Sequence, residues 1–317
     1  MIDFNIMETT DLYDKFWIFA YERQKVFVKR LKEEKPPWTN DAIILKYKFT
    51  NTYRFLDRVS QYLIINIINS AKKYTNEDLF FRILLFKIFN KIETWEQLEK
   101  NFGDIKFSKY SFDAYDRVLL DLLEKGDCIY SAAYIMPSGT TSYGHTKKHQ
   151  NNLRLIEQIM SDKPVEQLEK MTSLQDLYDF FLKFPTIGSF LAYQFAIDIN
   201  YSDLCNFSEM DFIVAGPGAI RGIKKCFKGA EKKDYSKIIT YVTLNQDREF
   251  AKRNIKFDYV NNRKLQLVDI QNIFCEIDKY SRQYSEYNSN NSRIKQKYKH
   301  QSRIVTNVMP VKWTKGV

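Results

Sequence analysis

The stretch from Phe181 to Gly222, FLKFPTIGSFLAYQFAIDINYSDLCNFSEMDFIVAGPGAIRG, holds residues whose types and spacing could do chemistry. A helix running into Phe184-Pro185-Thr186-Ile187-Gly188, followed by a second starting at Ser189, would make a tight hairpin. Such a turn aims backbone N–H groups and a helix N-terminus outward, a surface that holds a phosphate without reading a base. Thr186, Ile187, Gly188 and Ser189 are the expected contacts, with Arg221 and Lys224 as further cations for a phosphate backbone. Asp211 follows Gly188 by 23 positions, at the expected start of another helical segment. A carboxylate there could stabilise a developing cation and orient or deprotonate a water. The plainer alternatives are a helix–turn–helix corner for the hairpin and a helix cap for Asp211.

A second constellation lies nearer the N-terminus. Trp38, Asn51, Tyr53, Arg54, Asp57 and Arg58 fall within twenty-one positions. They combine stacking walls with polar groups, which is what a base extruded from a duplex requires. Arg23 and Arg30 lie seven and fourteen positions after Phe16, on the inward stripe of a helix, where a charge is costly unless paired or functional. Two plainer readings stand beside this one: arginine stems lying along the stripe with their heads in water, and an Arg–Asp network bracing the first two helices.

Some apparent sites dissolve on inspection. Gly139-Thr-Thr-Ser-Tyr-Gly144-His145-Thr146 matches a nucleotide-binding P-loop except that His145 replaces the essential lysine. His145 and His149 are four apart, with no acidic or cysteine partner near them in sequence. The four cysteines, Cys128, Cys205, Cys226 and Cys275, form no CxxC pair. No metal and no cofactor is expected.

Composition limits the partners. The net charge is +10, and the segment after residue 287 carries seven cations and no acid, which leaves +3 for the rest. That tail reads as a weakly ordered basic arm, suited to a polyanion or merely to solubility. The acidic start, MIDFNIMETTD, and the shortness of the apolar runs give neither a signal peptide nor a membrane span. A cytoplasmic protein is expected.

The elements that must position these residues read as helices, since only 10 Gly and 7 Pro punctuate 317 residues. Hydrophobic spacing predicts helices over 11–34, 52–73 (the clearest), 77–92, 94–101, 113–124, 128–135, 147–160, 173–183, 189–199, 217–227 and 265–284. Pro36-Pro37 should end the first, and Trp38-Thr39-Asn40-Asp41 should cap a restart. A short strand or two is expected around 238–260.

The hairpin and its following Asp resemble the helix-hairpin-helix DNA glycosylases, whose hairpin reads Leu-Pro-Gly-Ile/Val-Gly. Thr186 stands where the first family Gly would be. Phe190 occupies the position at which lyase-active members carry a lysine, and the four cluster-binding cysteines of some members are absent. A broader resemblance rests on Arg30…Pro37-Trp38-Thr39-Asn40-Asp41…Phe49-Thr50-Asn51-Thr52-Tyr53-Arg54…Asp57-Arg58. It extends to Gly216-Pro217-Gly218-Ala219…Arg221-Gly222 and to Asp269-Ile270-Gln271-Asn272…Cys275-Glu276…Asp278-Lys279-Tyr280. These runs are similar to the alpha-glutamyl/putrescinyl thymine pyrophosphorylase, or amino acid:DNA transferase, family, which shares its helical domain with phage 5-hydroxymethyluracil DNA kinases. An anti-phage glycosylase that removes a glucosylated hydroxymethylcytosine is of the same general kind.

The resemblance implies a mainly α fold of helix-hairpin-helix glycosylase type, with two lobes and a DNA/base cleft between them. The expected division is 1–135, 136–287 and a basic tail over 288–317. The implied activity is that of a monofunctional DNA glycosylase acting on a hypermodified base in double-stranded phage DNA by base flipping. Asp211 would be catalytic, and Arg23, Arg30, Trp38, Asn51, Arg54, Asp57 and Arg58 would form the base pocket. The loop Pro137–Lys147 would fill the gap left in the duplex. A transferase that hypermodifies thymine-derived bases, and a non-catalytic DNA-binding module, are the alternatives.

Overall fold

The computed structural model describes residues 8–132, 141–287, 293–294, 296–299 and 305–314. Among them the chain is mainly helical, and its only β-pairing consists of isolated antiparallel bridges such as Thr9 with Phe227 and Tyr47 with Lys297. In chain order the helices are α1 (Asp11–Leu31), α2 (Ala42–Lys46), α3 (Arg58–Tyr62), α4 (Asn76–Phe89) and α5 (Ile92–Phe102). Then come α6 (Phe112–Glu124), α7 (Lys148–Ser161), α8 (Pro164–Leu168), α9 (Leu174–Leu182) and α10 (Ser189–Ile199). The set ends with α11 (Pro217–Cys226), α12 (Tyr235–Leu244), α13 (Gln246–Lys252) and α14 (Leu267–Ser281). No helix among the described residues is long and apolar enough to cross a membrane.

The chain forms two compact units, neither of them one continuous segment. The first comprises residues 1–57 and 212–307, the second residues 58–211 and 308–317. These divisions fall elsewhere than the expected cuts after 135 and 287.

In the first unit, α1 begins where Thr10 Oγ1 accepts the Leu12 N–H, with Asp11 and Asp14 complementing the helix dipole. Its buried stripe of Phe16, Trp17, Phe19, Ala20 and Phe27 packs toward α14, where Phe16 meets Phe274 at 4.5 Å between ring centroids. Helices α11 and α14 cross so closely that side chains have no room at two positions. A Cβ at Gly222 would lie 2.0 Å from the Phe274 carbonyl oxygen, and one at Gly218 would lie 2.3 Å from Cys275 Sγ. Gly218 and Gly222 are therefore packing residues of this crossing.

In the second unit, α4 is buried almost all round, as its unbroken apolar run predicts. It carries Lys87, whose ammonium pairs at 2.6 Å with Asp198 of α10 inside the core. Serine 173 opens α9 with a capping box, and Phe181 of α9 packs edge-on against Phe195 of α10.

Several sequence expectations need correction. Residues 52–73 are not one helix. Asn51 gives its N–H to Asp57 Oδ1 at 2.8 Å and Arg54 gives its N–H to Asp269 Oδ1 at 2.8 Å. These bonds fix the turn at 51–57, with a 3-10 turn at Arg54–Leu56 inside it; the helix begins only at α3 and continues as a π-helical stretch at Leu63–Ile68. No helix covers 128–132, because Thr94 Oγ1 donates to Ile129 O and Ser131 N–H donates to Phe89 O. Residues 133–135 lie outside the described residues. The expected strands at 238–260 are α12 and α13. Ile238, Ile239 and Val242 are buried at helical spacing, and Thr243 Oγ1 donates back to Ile239 O, so burial overrides the β-branched composition.

Parts of the expected basic arm are tethered. Lys48 N–H donates to Gln296 O and Tyr298 N–H to Lys46 O, within the first unit. Within the second, Val308 exchanges two hydrogen bonds with Gln61, and Lys312 Nζ donates to Cys205 O at 2.6 Å. Residues 288–292, 295, 300–304 and 315–317 of that arm lie outside the described residues, as does 137–140 of the loop expected to fill the duplex.

Candidate functional site

The expected phosphate-binding hairpin sits in the second unit between α9 and α10. The chain leaves α9 through Phe184, whose N–H returns to Phe181 O, and Ile187 N–H then closes onto Phe184 O at 3.3 Å. Ile187 is buried and anchors the turn, while Pro185, Gly188 and Ser189 are exposed. Thr186 has φ of +68°, the left-handed region that a glycine adopts freely and a β-branched residue resists. Gly188 is the N-cap of α10, and a Cβ built on it would meet nothing within 4 Å. The turn thus presents open backbone at the start of an eleven-residue helix.

Asp211 is exposed and stands in a bend, six residues before α11. The expected helix-start placement is corrected by this: the cap of α11 is Gly216, whose N–H is taken by Gln271 Oε1 at 2.9 Å.

In the first unit the structure brings Arg23, Asn51, Arg54 and Asp57 together around the turn at 49–57. Arg23, buried on α1, donates Nε to Thr50 O at 3.0 Å and Nη2 to Phe49 O and Asn51 Oδ1 at 3.3 Å each. Asn51 Nδ2 donates to Leu56 O at 2.7 Å. Both ends of that amide are used internally, so Arg23 and Asn51 shape the turn. Burial holds the Arg23 guanidinium below its ordinary pKa, against the opposing pull of Glu276 and Asp57. Burial also pushes the Asp57 carboxyl up to about 7; the Asn51 N–H, Arg54 and Arg23 oppose this and Glu276 adds to it.

Arg30 and Trp38 form a separate pair, the guanidinium carbon 5.2 Å from the ring centroid. Trp38 is buried and donates its indole N–H to Glu34 O at 2.6 Å, so the ring faces the protein. Arg58 belongs to the second unit, exposed and 3.5 Å from Glu93.

Sequence reasoning missed the contribution of α14 to this turn. Glu276 Oε2 accepts the Thr50 N–H at 3.1 Å, Asn272 Nδ2 donates to Thr50 Oγ1 at 3.1 Å, and Asp269 accepts from Arg54. The signal was present as the spacing Asp269, Asn272, Glu276, one helical face. On the neighbouring face Asp278 is buried and receives Arg221 at 3.0 Å, Lys225 at 2.9 Å and Arg282 at 2.8 Å. Burial would raise this carboxyl, but hydrogen bonds from Lys225, Arg282 and Arg221 hold it below its ordinary value. Arg221 is therefore shared between Asp278 and solvent, while Lys224 is exposed.

His149 also has an acid partner that sequence proximity hid. Its Nε2 lies 2.7 Å from Asp116 of α6, 33 positions away, and Gln150 donates to the other carboxylate oxygen at 3.0 Å.

With this geometry in hand, comparison with known proteins identifies the kind of chain it is. The family model of the 5-hmdU DNA kinase helical domain matches residues 10–289. A 5-hmdU DNA kinase of Bacillus phage SP10 is 23% identical over 293 residues, covering 86% of this chain and 45% of the kinase. The chain thus spans less than half the length of the curated relative it matches. No solved structure matches it. The family match encloses α1 to α14, both constellations read from the sequence and the α11–α14 crossing, and the chain belongs to the 5-hmdU DNA kinase helical-domain family.

Proposed function

We propose that the chain binds double-stranded DNA carrying a 5-modified pyrimidine and hydrolyses the N-glycosidic bond of that nucleotide. The family relation over residues 10–289 supports the modified nucleotide in DNA, for which the relative is named; the hydrolytic step rests on the hairpin followed by Asp211. The left-handed turn at Thr186 before α10 supports backbone binding through Gly188 and Ser189. Arg221 and Lys224 on α11 add positive charge for phosphates. In the first unit Arg23, Asn51, Arg54 and Asp57 build the turn against which the base is read, with Arg30 and Trp38 as lesser members; Arg58, in the second unit, is a separate candidate. Asp211 is the carboxylate that stabilises the cationic sugar and activates water.

The test is incubation with a duplex containing a single 5-hydroxymethyluracil, with thymine in its place as control, and mass spectrometry of what is released. The expected product is free base and an intact abasic site that breaks only on alkali, since Phe190 leaves no amine where lyases form a Schiff base. A duplex recovered unchanged at enzyme excess would end the hydrolytic reading. The name of the relative favours a second reading, a helical module that delivers the modified nucleotide to phosphoryl transfer. That reading predicts tight binding, no free base, and a phosphorylated nucleotide that appears only with ATP.

A further inference from the structure

The turn at 49–57 satisfies nearly all of its own polar groups. Arg23 spends its donors on Thr50 O, Phe49 O and Asn51 Oδ1, and Asn51 spends its amide on Arg23 and Leu56 O. Glu276 from α14 accepts from Thr50 N–H and pairs with Lys279 at 2.8 Å, and Asp269 accepts the Arg54 N–H. Asp57 differs from all of these. Its Oδ1 accepts the Asn51 N–H at 2.8 Å, and no hydrogen bond among the described residues reaches its Oδ2. The side chain is only half-buried, so that second oxygen is a polar group that the turn leaves over.

We propose that Asp57, as the neutral carboxylic acid, donates its proton to a ring carbonyl oxygen of the target pyrimidine. This rests on the glycosidic reading above and adds a residue to it. As the C1′–N1 bond breaks, its electron pair passes to N1 and onto the adjacent carbonyl oxygen. The Asp57 proton neutralises that oxygen and leaves Asp57 as the carboxylate. Water supplies the oxygen that bonds C1′ and gives its proton to solvent, and solvent reprotonates Asp57. The base departs neutral, which lowers the barrier as general acids do.

The charged groups around Asp57 suit a donor. Glu276 lies across the turn and disfavours a second negative charge. Arg23 and Arg54 favour the carboxylate, but Arg23 directs its N–H groups at carbonyl and amide oxygens. Burial tips the balance toward the acid, with half-protonation near neutrality. A turn-locking role for Asp57 would need only the bond to Asn51 N–H, and asparagine supplies that bond equally well.

The experiment compares wild type, Asp57→Asn and Asp57→Glu on duplexes carrying 5-hydroxymethyluracil or thymine, from about pH 5.5 to 8.5, which brackets the pKa named above. Single-turnover base release and equilibrium binding are both followed. Wild-type release should fall about tenfold per pH unit above about 7, as expected where one protonated acid is required. Asp57→Asn should fold normally, release base about 10²-fold more slowly and lose the pH limb, with partial rescue by Asp57→Glu. An Asp57→Asn variant that keeps both the wild-type rate and the limb overturns the proposal. If wild type releases no base at any pH, the hydrolytic reading falls and binding decides the role of Asp57. A wild-type preference for the modified duplex that fades above pH 7 and is absent in Asp57→Asn upholds the donor. A preference indifferent to pH and to the substitution removes it.

Discussion

Replacing Gly222 by alanine tests the α11–α14 crossing. The added Cβ would stand 2.0 Å from Phe274 O, 2.8 Å from its carbonyl carbon and 3.3 Å from its Cα. Ordinary carbon contacts lie at about 3.5–4.0 Å, so the helices must part by more than about 1 Å. The obstacle is backbone, which has no rotamer to change. Over-packing of this kind costs about 1–3 kcal/mol and sometimes more, and the upper end applies here. Alanine returns about 1 kcal/mol as a better helix former. The net loss should be about 2 kcal/mol or more, roughly 4–8 °C of melting temperature on the scaling for domains of similar size. Parting the helices also strains the Gly216–Gln271 and Arg221–Asp278 bonds that bridge them. At Gly218 the obstacle is the Cys275 thiol, 2.3 Å away, which can rotate. Gly218→Ala should cost less, about 1 kcal/mol, and Cys275→Ala should relieve part of it. Cys275→Ala should bring no relief to Gly222→Ala. Thermal and urea unfolding of the three singles and the two doubles measures these couplings. A Gly222→Ala protein at least as stable as wild type would refute the reasoning.

The remaining expectations are more local. Asp278→Asn leaves Arg221, Lys225 and Arg282 around a buried neutral amide and should cost about 2–3 kcal/mol at pH 7. Because the folded carboxyl titrates below its ordinary value, its stabilisation is complete above about pH 4 and disappears as the pH falls through the folded value; urea unfolding of both proteins against pH reads this. Thr186→Gly removes a left-handed β-branched residue and should raise stability by about 0.5–1 kcal/mol, with DNA affinity unchanged in a binding titration. A loss of stability there would mean that the threonine side chain holds the turn. Asp211→Asn, at an exposed bend, should leave the melting temperature in place while base release falls about 10²–10³-fold; an active variant ends the assignment.

How far the sequence could be read depended on how far apart the interacting residues lie. Helices α7, α9, α10 and α11 were legible to within a residue or two, because local periodicity and the Pro185, Gly188 and Pro217 punctuation specify them. The hairpin before Ser189 was legible for the same reason. The turn at 49–57 was not. Its shape depends on Asp269, Asn272 and Glu276, more than 210 positions away, and no local window can see Arg54 N–H being drawn to Asp269. Arg23 was rightly suspected as a buried charge, but its partners are carbonyl oxygens, which leave no mark in residue type. The β-branched run at 238–243 suggested strand, and burial of Ile238, Ile239 and Val242 in the first unit overrode that preference.

The division of the chain also sets an order of events during synthesis. The second unit is continuous from 58 to 211 apart from its last ten residues, so most of it can form as soon as it emerges. Helix α1 cannot finish so early. Its Phe16 and Trp17 are buried against Phe274 and Phe250, which are translated more than 230 residues later. At about 5–20 residues per second that is roughly 10–50 s with an aromatic stripe uncovered on the nascent chain. Until those residues arrive, the aromatic stripe of α1 is aggregation-prone surface on the nascent chain.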